Sequence, residues 1–157
     1  MITEEQITIS ILNFLDSCGW RILCFDFPQS GTGIFFSHEN FPNEKNKHSL
    51  NPDIIAVKNK VAIHLENKIY WNESDVQLLK KLKIHNPYRK SIDNKLKLTK
   101  ECTFYYGLGL YDYKKNDNLV DANFSKNYYD FVFFVDDKKQ IRISSDCLIF
   151  NSSENDF

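Results

Sequence analysis

The sequence predicts one mixed α/β domain, with a central mixed β-sheet flanked by helices. Its 157 residues suit a single domain, which would bury roughly two-thirds of the surface of the unfolded chain. Hydrophobic residues make up 42% of the chain and charged residues 26%, as in ordinary globular proteins. Segments of helical and of strand-like periodicity follow one another along the chain, which predicts a layered domain.

Helical periodicity marks two segments. The first is TEEQITISILNFLDSCGW, which opens with a capping box of Thr3 and Gln6 and is expected to stop at Gly19. The second is NESDVQLLKKLKI, for which Asn72 is the expected N-cap. The basic segment that follows, HNPYRKSIDNKLKLTKE, is predicted to be a long loop or a loop with a short helix.

Strand-like segments lie between and after these helices. They are RILCFDF, the hairpin DIIAVKNKVAIHLENKIYW, CTFYYGLGLYDY, YYDFVFFVDD and KKQIRISS. The hairpin is expected to turn near Asn59, since asparagine suits a tight turn. We therefore predict a single domain over residues 1–157, with a core of about residues 3–110, an additional strand-rich extension over 111–150 and a frayed tail over 151–157.

Cysteine usage and hydropathy narrow the class of protein. The four cysteines form no Cys-x-x-Cys pair and have no zinc-ligand spacing with the histidines, so we expect buried thiols in a reducing compartment. No apolar run approaches the roughly 18 residues of a membrane span. The start, MITEEQ, lacks the basic residues of a signal peptide, so we expect a cytoplasmic protein without a membrane partner.

Charge is distributed unevenly along the chain although the net charge is only −1. Residues 1–40 hold one basic and five acidic side chains, a charge of −4. Residues 41–115 hold fifteen basic and eight acidic side chains, +7, and residues 116–157 hold four and eight, −4. The middle segment, residues 41–115, is therefore suited to a polyanion, or it presents a solvated lysine-rich face.

The hairpin carries charged residues within its most strand-like stretch, NPDIIAVKNKVAIHLENK. Side chains on a strand alternate between two faces. One face carries Val61, Ile63 and Leu65, and the other carries Ala62, His64, Glu66 and Lys68. Because the turn returns the chain beside the start of the first strand, Asp53 is expected next to Glu66 and Lys68.

Two converging carboxylates and a lysine suit phosphodiester hydrolysis. Mg²⁺ prefers oxygen ligands and is typically held by one or two carboxylates together with a substrate phosphate. The metal ion lowers the pKa of a bound water, and a neighbouring lysine can stabilise the anionic transition state. The alternative is a strand-capping aspartate and an ordinary Glu–Lys pair of little energetic consequence.

Pro52-Asp53, followed after twelve residues by Glu66-Asn67-Lys68, resembles the signature of the PD-(D/E)xK nuclease superfamily, which has the restriction-endonuclease-like fold. The predicted order of elements also resembles the core of that family over about residues 3–110. The resemblance implies that Asp53 and Glu66 bind Mg²⁺, for which Mn²⁺ can substitute, and that Lys68 assists the attacking water. It further implies a glutamate from the first helix, Glu4 or Glu5, of which we favour Glu5.

Nucleic-acid contacts are expected from basic, polar and aromatic side chains around this site. The family resemblance suggests Gln77, which lies on the helix after the motif. Basic and aromatic groups near a cleft bind phosphates and bases, which adds Arg89 and Lys90, with Tyr70, Trp71 and Tyr88 as further candidates. His64 shares the face of Glu66 and is expected either to contact phosphate or to be a partly buried histidine with a hydrogen-bond partner.

The leading functional hypothesis is a Mg²⁺-dependent DNA endonuclease, most like a type II restriction endonuclease. Cutting both strands of double-stranded DNA needs two active sites, so we expect a homodimer. The nearest alternative is a structure-selective repair nuclease or Holliday-junction resolvase. Alternatives of another class are a non-catalytic nucleic-acid-binding or assembly module on the same fold, and a small interaction protein with no nucleic-acid role.

Overall fold

The computed structural model describes residues 1–27, 30–42, 48–145 and 148–150. It contains a seven-stranded mixed sheet flanked by helices, which confirms the predicted fold class. The strands are β1 Arg21–Phe27, β2 Ser30–Gly31, β3 Ile54–Lys58, β4 Val61–Asn67, β5 Thr103–Tyr111, β6 Phe131–Val135 and β7 Ile141–Ser145. The helices are α1 Glu4–Ser17, α2 Glu73–Ile84, α3 Arg89–Leu96 and α4 Lys114–Phe124, and a 3-10 turn covers Leu148–Phe150. The tail predicted for 151–157 lies outside the described residues.

The strands lie in the order β2-β1-β3-β4-β5-β6-β7. Antiparallel pairing joins β2 to β1, β1 to β3 and β3 to β4, and it joins β6 to β7 at the far edge. Strands β4, β5 and β6 run parallel to one another. Parallel neighbours need crossover connections, which are supplied by α2 with α3 and by α4.

The region 111–150 differs from the predicted strand-rich extension. It contains a helix, α4, that was not predicted, and its strand β6 lies between β5 and β7 in the same sheet as the hairpin. All five residues of β6 are buried, with Phe131 and Phe133 in the core that faces α1 and Val132 and Phe134 in the core that faces α2. A run of consecutive apolar residues is typical of such a strand, which is covered on both faces.

The first helix begins as predicted. Thr3 Oγ1 accepts a hydrogen bond from the Gln6 N–H at 3.1 Å, and Gln6 Oε1 accepts one from the Thr3 N–H at 3.0 Å. The chain leaves the helix through Gly19, whose φ of +84° is readily available only to glycine. This capped start fixes the position of Glu4 at the N-terminal end of α1.

The hairpin of β3 and β4 also forms as predicted. Asn59 turns the chain with a left-handed φ of 56°, and Ile54 pairs with Leu65. Ile63 and Leu65 pack in the core with α1, and His64 and Glu66 lie on the opposite face. The sheet therefore presents Glu66 toward the α2 side.

The structure also bears on the expectations about membrane spans and about the cysteines. No helix among the described residues is long and apolar enough to cross a membrane. Cys24 and Cys102 are buried thiols as expected, but Cys18 is exposed because it caps the C-terminus of α1. Cys147 lies outside the described residues.

Candidate active site

Asp53 and Glu66 meet where the hairpin ends. Ile54 and Leu65 are direct partners across β3 and β4, so the residues just beyond them, Asp53 and Glu66, are the next neighbours. Asp53 Oδ2 accepts a hydrogen bond of 2.6 Å from the backbone N–H of Asn67. Glu66 is buried, with 7% of its surface exposed. The structure thus brings together the two carboxylates that the sequence assigned to a metal ion.

The pair resists double ionisation. Burial raises the pKa of Asp53 to about 8, and the charge of Glu66 adds to this rise. Burial likewise raises the pKa of Glu66 to about 8, and the charge of Asp75 adds to this rise. The charge of Lys68 and a hydrogen bond between Asp53 and Glu66 each offset part of it. At neutral pH the two groups therefore retain protons that a bound cation would displace.

His64 is part of the support for Glu66. Its Nε2 lies 2.8 Å from Glu66 Oε1, and burial lowers the pKa of the imidazole to about 4, so the ring is neutral at physiological pH. Nδ1 has no partner among the described residues, so a tautomer with the proton on Nε2, donated to Glu66, leaves no buried N–H of the ring unpaired. The side chain is fully buried, which favours the second of the two expectations for His64, a buried histidine with a hydrogen-bond partner.

Lys68 lies just past the end of β4 and is held by the first helix. Its Nζ donates to Glu4 Oε1 at 3.1 Å. Burial lowers the pKa of Lys68, but the hydrogen bond and charge of Glu4, with the charges of Asp75 and Asp53, outweigh it and hold the pKa above its ordinary value. The structure places Glu4 rather than the favoured Glu5 beside Lys68, since Glu5 lies one residue further around the helix and is exposed.

Two residues at the site were not assigned to it from the sequence. Asp75, in the first turn of α2, has a buried Oδ2 without a partner among the described residues, and burial raises its pKa. Carboxylates in the first turn of a helix commonly complement the helix dipole, so the sequence around Asp75 did not indicate a role at the site. Asn67 Nδ2 donates to Thr8 Oγ1 at 3.0 Å, which ties β4 to α1 behind Asp53. The sequence could have indicated this contact, because Asn67 and Thr8 are polar residues on otherwise apolar faces of β4 and α1.

The donor set fits a hard divalent cation with two protein ligands. Within the described part of the chain, no cluster of three or more His, Cys, Asp or Glu side chains is arranged to hold a metal ion alone. Mg²⁺ does not require such a cage, because water and substrate phosphate complete its shell. Asp53 and Glu66 supply the two carboxylates, and burial raises the pKa of both.

The remaining predicted contacts lie away from this pair. Gln77 donates to Glu73 Oε1 at 3.0 Å on the outside of α2. Arg89 pairs with Asp93 and donates to the Cys102 carbonyl at 2.7 Å. Cys102 precedes β5 by one residue, about 20 Å along the sheet from Leu108, the partner of Glu66.

Lys90 is exposed on α3, the helix that also carries Arg89. It therefore belongs to the same distant end of the sheet as Arg89. The structure does not bring Arg89 and Lys90 to the carboxylates, and Gln77 is engaged by Glu73 on the exposed side of α2.

Comparisons with known proteins return no relatives. No protein-family model matches the chain, no curated protein matches its sequence, and no solved structure matches its fold. The assignment of a function accordingly depends on the geometry of the residues themselves.

Proposed function

We propose that the protein is a Mg²⁺-dependent endonuclease that hydrolyses phosphodiester bonds in DNA. The observation that carries the proposal is the buried pair of Asp53 and Glu66, both with pKa values of about 8, beside a charged Lys68. Buried ionisable groups of this kind are usually neutralised by a partner or mark a functional site. The resemblance of the Pro52-Asp53 and Glu66-Asn67-Lys68 motifs to PD-(D/E)xK nucleases supports the same function.

Each side chain has a distinct part in the proposed reaction. Asp53 and Glu66 hold the cation, which when bound polarises the phosphate and lowers the pKa of water. The Asn67 N–H and the His64 ring fix the two carboxylates before substrate arrives. Lys68 stays protonated, so it stabilises negative charge on the phosphate and orients water by donating hydrogen bonds rather than by taking a proton.

The substrate is proposed to be double-stranded DNA. Residues 41–115, which include the motif, carry a net charge of +7 and can offset phosphate charge. A homodimer is the proposed assembly, because one copy provides one such site and two strands require two. Light scattering in the presence and absence of DNA measures this assembly independently of cleavage.

Cleavage of a supercoiled plasmid in Mg²⁺, Mn²⁺ or EDTA tests the activity. We expect metal-dependent fragments that are lost in Asp53→Asn and in Glu66→Gln, which replace an ionisable carboxyl group by a neutral amide of the same shape. Glu101→Gln is the matched control, because Glu101 is an exposed carboxylate paired with Lys60 at the other end of the hairpin. Retained activity in Asp53→Asn contradicts the proposal.

Branched and single-stranded DNA are included as substrates. Cleavage confined to these forms would replace the restriction-like activity with a structure-selective one. Binding without cleavage of any substrate in either metal would replace it with a non-catalytic nucleic-acid-binding module on the same fold.

A further inference from the structure

A cleft of about 340 Å³ lies beside the candidate active site. It is formed where the chain leaves β4 and β5, and its lining residues are Tyr70, Trp71, Tyr113, Lys115, Asn116 and Leu119. Strands β4 and β5 are parallel, so both deliver their following loops to the same edge of the sheet. Crevices at the carboxyl ends of parallel strands are common ligand sites in α/β proteins.

Two tyrosines present open ring surface at this cleft. Tyr70 is 49% exposed and Tyr113 is 42% exposed, although both are large aromatic side chains. Their ring centroids are 5.8 Å apart in an edge-to-face arrangement. Tyr111 stacks against Tyr113 at 6.1 Å with an interplanar angle of 9°, which fixes the orientation of the outer ring. A rigid, exposed aromatic surface of this kind suits a planar ligand.

Asn116 holds the walls of the cleft together. It is buried, and its Nδ2 donates to the carbonyls of Ile69 and Tyr111 at 2.9 Å each. Its Oδ1 accepts a hydrogen bond of 2.9 Å from the Trp71 N–H. The two loops that carry Tyr70 and Tyr113 are therefore cross-linked by one buried amide, and the cleft is a preformed part of the fold.

Two lysines lie at the start of α4, and one of them, Lys115, lines the cleft. Lys114 and Lys115 are exposed in the first turn of α4, and no carboxylate pairs with either among the described residues. The nearby Asp112 and Asp117 are engaged by Arg142 at 3.0 and 3.2 Å. Lysines at a helix N-terminus are opposed by the helix dipole, so an anion bound there would relieve an unfavourable arrangement.

The cleft is close to the residues of the proposed nuclease site. Tyr70 follows Lys68 by two residues, so their Cα atoms lie at most about 7 Å apart. The Tyr70 hydroxyl lies 3.0 Å from Met1 Sδ, at the end of the chain that leads into Glu4 of α1. A nucleic-acid chain that passes Lys68 can therefore reach the tyrosines with its next residues.

We propose that Tyr70 and Tyr113 form a stacking site for an unpaired nucleobase, with Lys115 as a phosphate contact, next to the scissile phosphate. The inference rests on the proposed function and narrows its substrate from a continuous duplex to DNA with a single-stranded segment beside the cut. Stacking on aromatic rings requires an open base face, which a continuous duplex does not offer. Lysine beside aromatic rings is the combination that binds single strands without base-specific hydrogen bonds.

Binding without cleavage tests this site. Fluorescence anisotropy in EDTA compares a short labelled single-stranded DNA with a duplex of the same sequence, for the wild type and for four variants. We expect tighter binding to the single strand. Tyr113→Leu and Tyr70→Leu should each weaken it about tenfold, whereas Tyr113→Phe, which keeps the ring, should retain it. Phe41→Leu is the control, because Phe41 is an exposed aromatic residue elsewhere.

The salt dependence tests the lysine separately. Lys115→Gln should reduce the slope of log affinity against log salt by about 0.7, the change for one lost phosphate contact on a single strand. Equal affinities of the wild type and both leucine variants, or a preference for the duplex, would overturn the stacking site. These outcomes are independent of the nuclease reaction: absence of cleavage in every metal with intact stacking removes only the proposed activity, and cleavage with unaffected binding in the variants removes only the stacking site.

Discussion

The two ends of one hairpin carry the same kinds of charged residue in different surroundings. At the turn, Lys60 pairs with Glu101 at 2.9 Å, and their side chains are 76% and 71% exposed. At the open end, Lys68 pairs with Glu4 at 3.1 Å, and their exposures are 36% and 33%. The buried carboxylates Asp53 and Glu66 lie only at this second end.

Burial, rather than residue type, therefore distinguishes the two ends of the hairpin. An exposed pair gains little from its charges because water screens them. A buried carboxylate pair costs free energy unless a cation joins it. The open end of the hairpin therefore retains an arrangement that does not serve the stability of the isolated chain.

The largest expected difference is in activity between two lysine variants. Lys68→Ala should lower the cleavage rate at least about 100-fold, because it removes a charged donor from the transition state. Lys60→Ala should leave the rate unchanged, since Lys60 lies at the other end of the hairpin. Single-turnover cleavage under identical metal conditions measures both. Equal rates would show that the two ends do not differ in function.

A second comparison is between two histidine–glutamate pairs that have the same distance between nitrogen and oxygen. His64 and Glu66 are 2.8 Å apart and buried, and His85 and Glu39 are 2.8 Å apart on the surface. His64→Leu should lower activity about 10- to 100-fold through misplacement of Glu66. His85→Leu should leave activity unchanged. A metal titration of the activity checks the cause, because the His64 variant should need more metal.

Stability should depend on pH through the carboxylate pair. Asp53 has a pKa of about 8 in the folded protein against an ordinary value of 3.8, so between these values the folded chain holds a proton that the unfolded chain has lost. The contribution of this proton to the stability of the folded chain is full below the ordinary pKa of 3.8. It is lost as pH rises to about 8. Asp53→Asn should flatten this decline and raise the free energy of unfolding by about 2 kcal/mol at mildly alkaline pH.

Urea unfolding of the metal-free protein at a series of pH values measures this effect. The neutral amide keeps an oxygen that can accept the hydrogen bond from Asn67, so the comparison isolates the charge. A steeper decline in the variant, or a lower stability throughout, would contradict the assigned direction of the pKa shift.

The smallest effect is expected at the turn. Glu101→Gln should change the free energy of unfolding by less than about 0.5 kcal/mol, as exposed ion pairs typically do. The same urea series measures it. A change above about 1 kcal/mol would mean that exposure does not distinguish the two ends.

Much of the fold could be predicted from the sequence because its signals are local. The capping box of Thr3, the Asn59 turn and the alternation along Val61–Asn67 each depend on neighbours in the chain, and the structure contains all three. Helix α4 could not be found in this way. It starts with two lysines, its N-cap Tyr113 makes no side-chain cap, and most of its residues are polar. The helix follows from the parallel pairing of β5 and β6, which requires a crossover connection.

The candidate site likewise has parts that local sequence patterns predict and parts that they do not. The meeting of Asp53 and Glu66 follows from strand alternation and one turn, so the sequence predicts it. The positions of Glu4 and Asp75 depend on how two helices pack against the sheet, which no local pattern specifies. The burial of His64 is likewise set by the helices that cover its face of β4.

Calorimetric titration of the protein with Mn²⁺ is the direct test of whether Asp53 and Glu66 form a metal site. Titrations at neutral pH in two buffers of different ionisation enthalpy give both affinity and proton release. We expect the wild type to bind Mn²⁺ and to release protons, because a pair with pKa values of about 8 must deprotonate. We expect Asp53→Asn to bind at least about tenfold more weakly and Glu101→Gln to bind as the wild type does. Equal affinity in Asp53→Asn, or binding without proton release, would contradict a metal site at this pair.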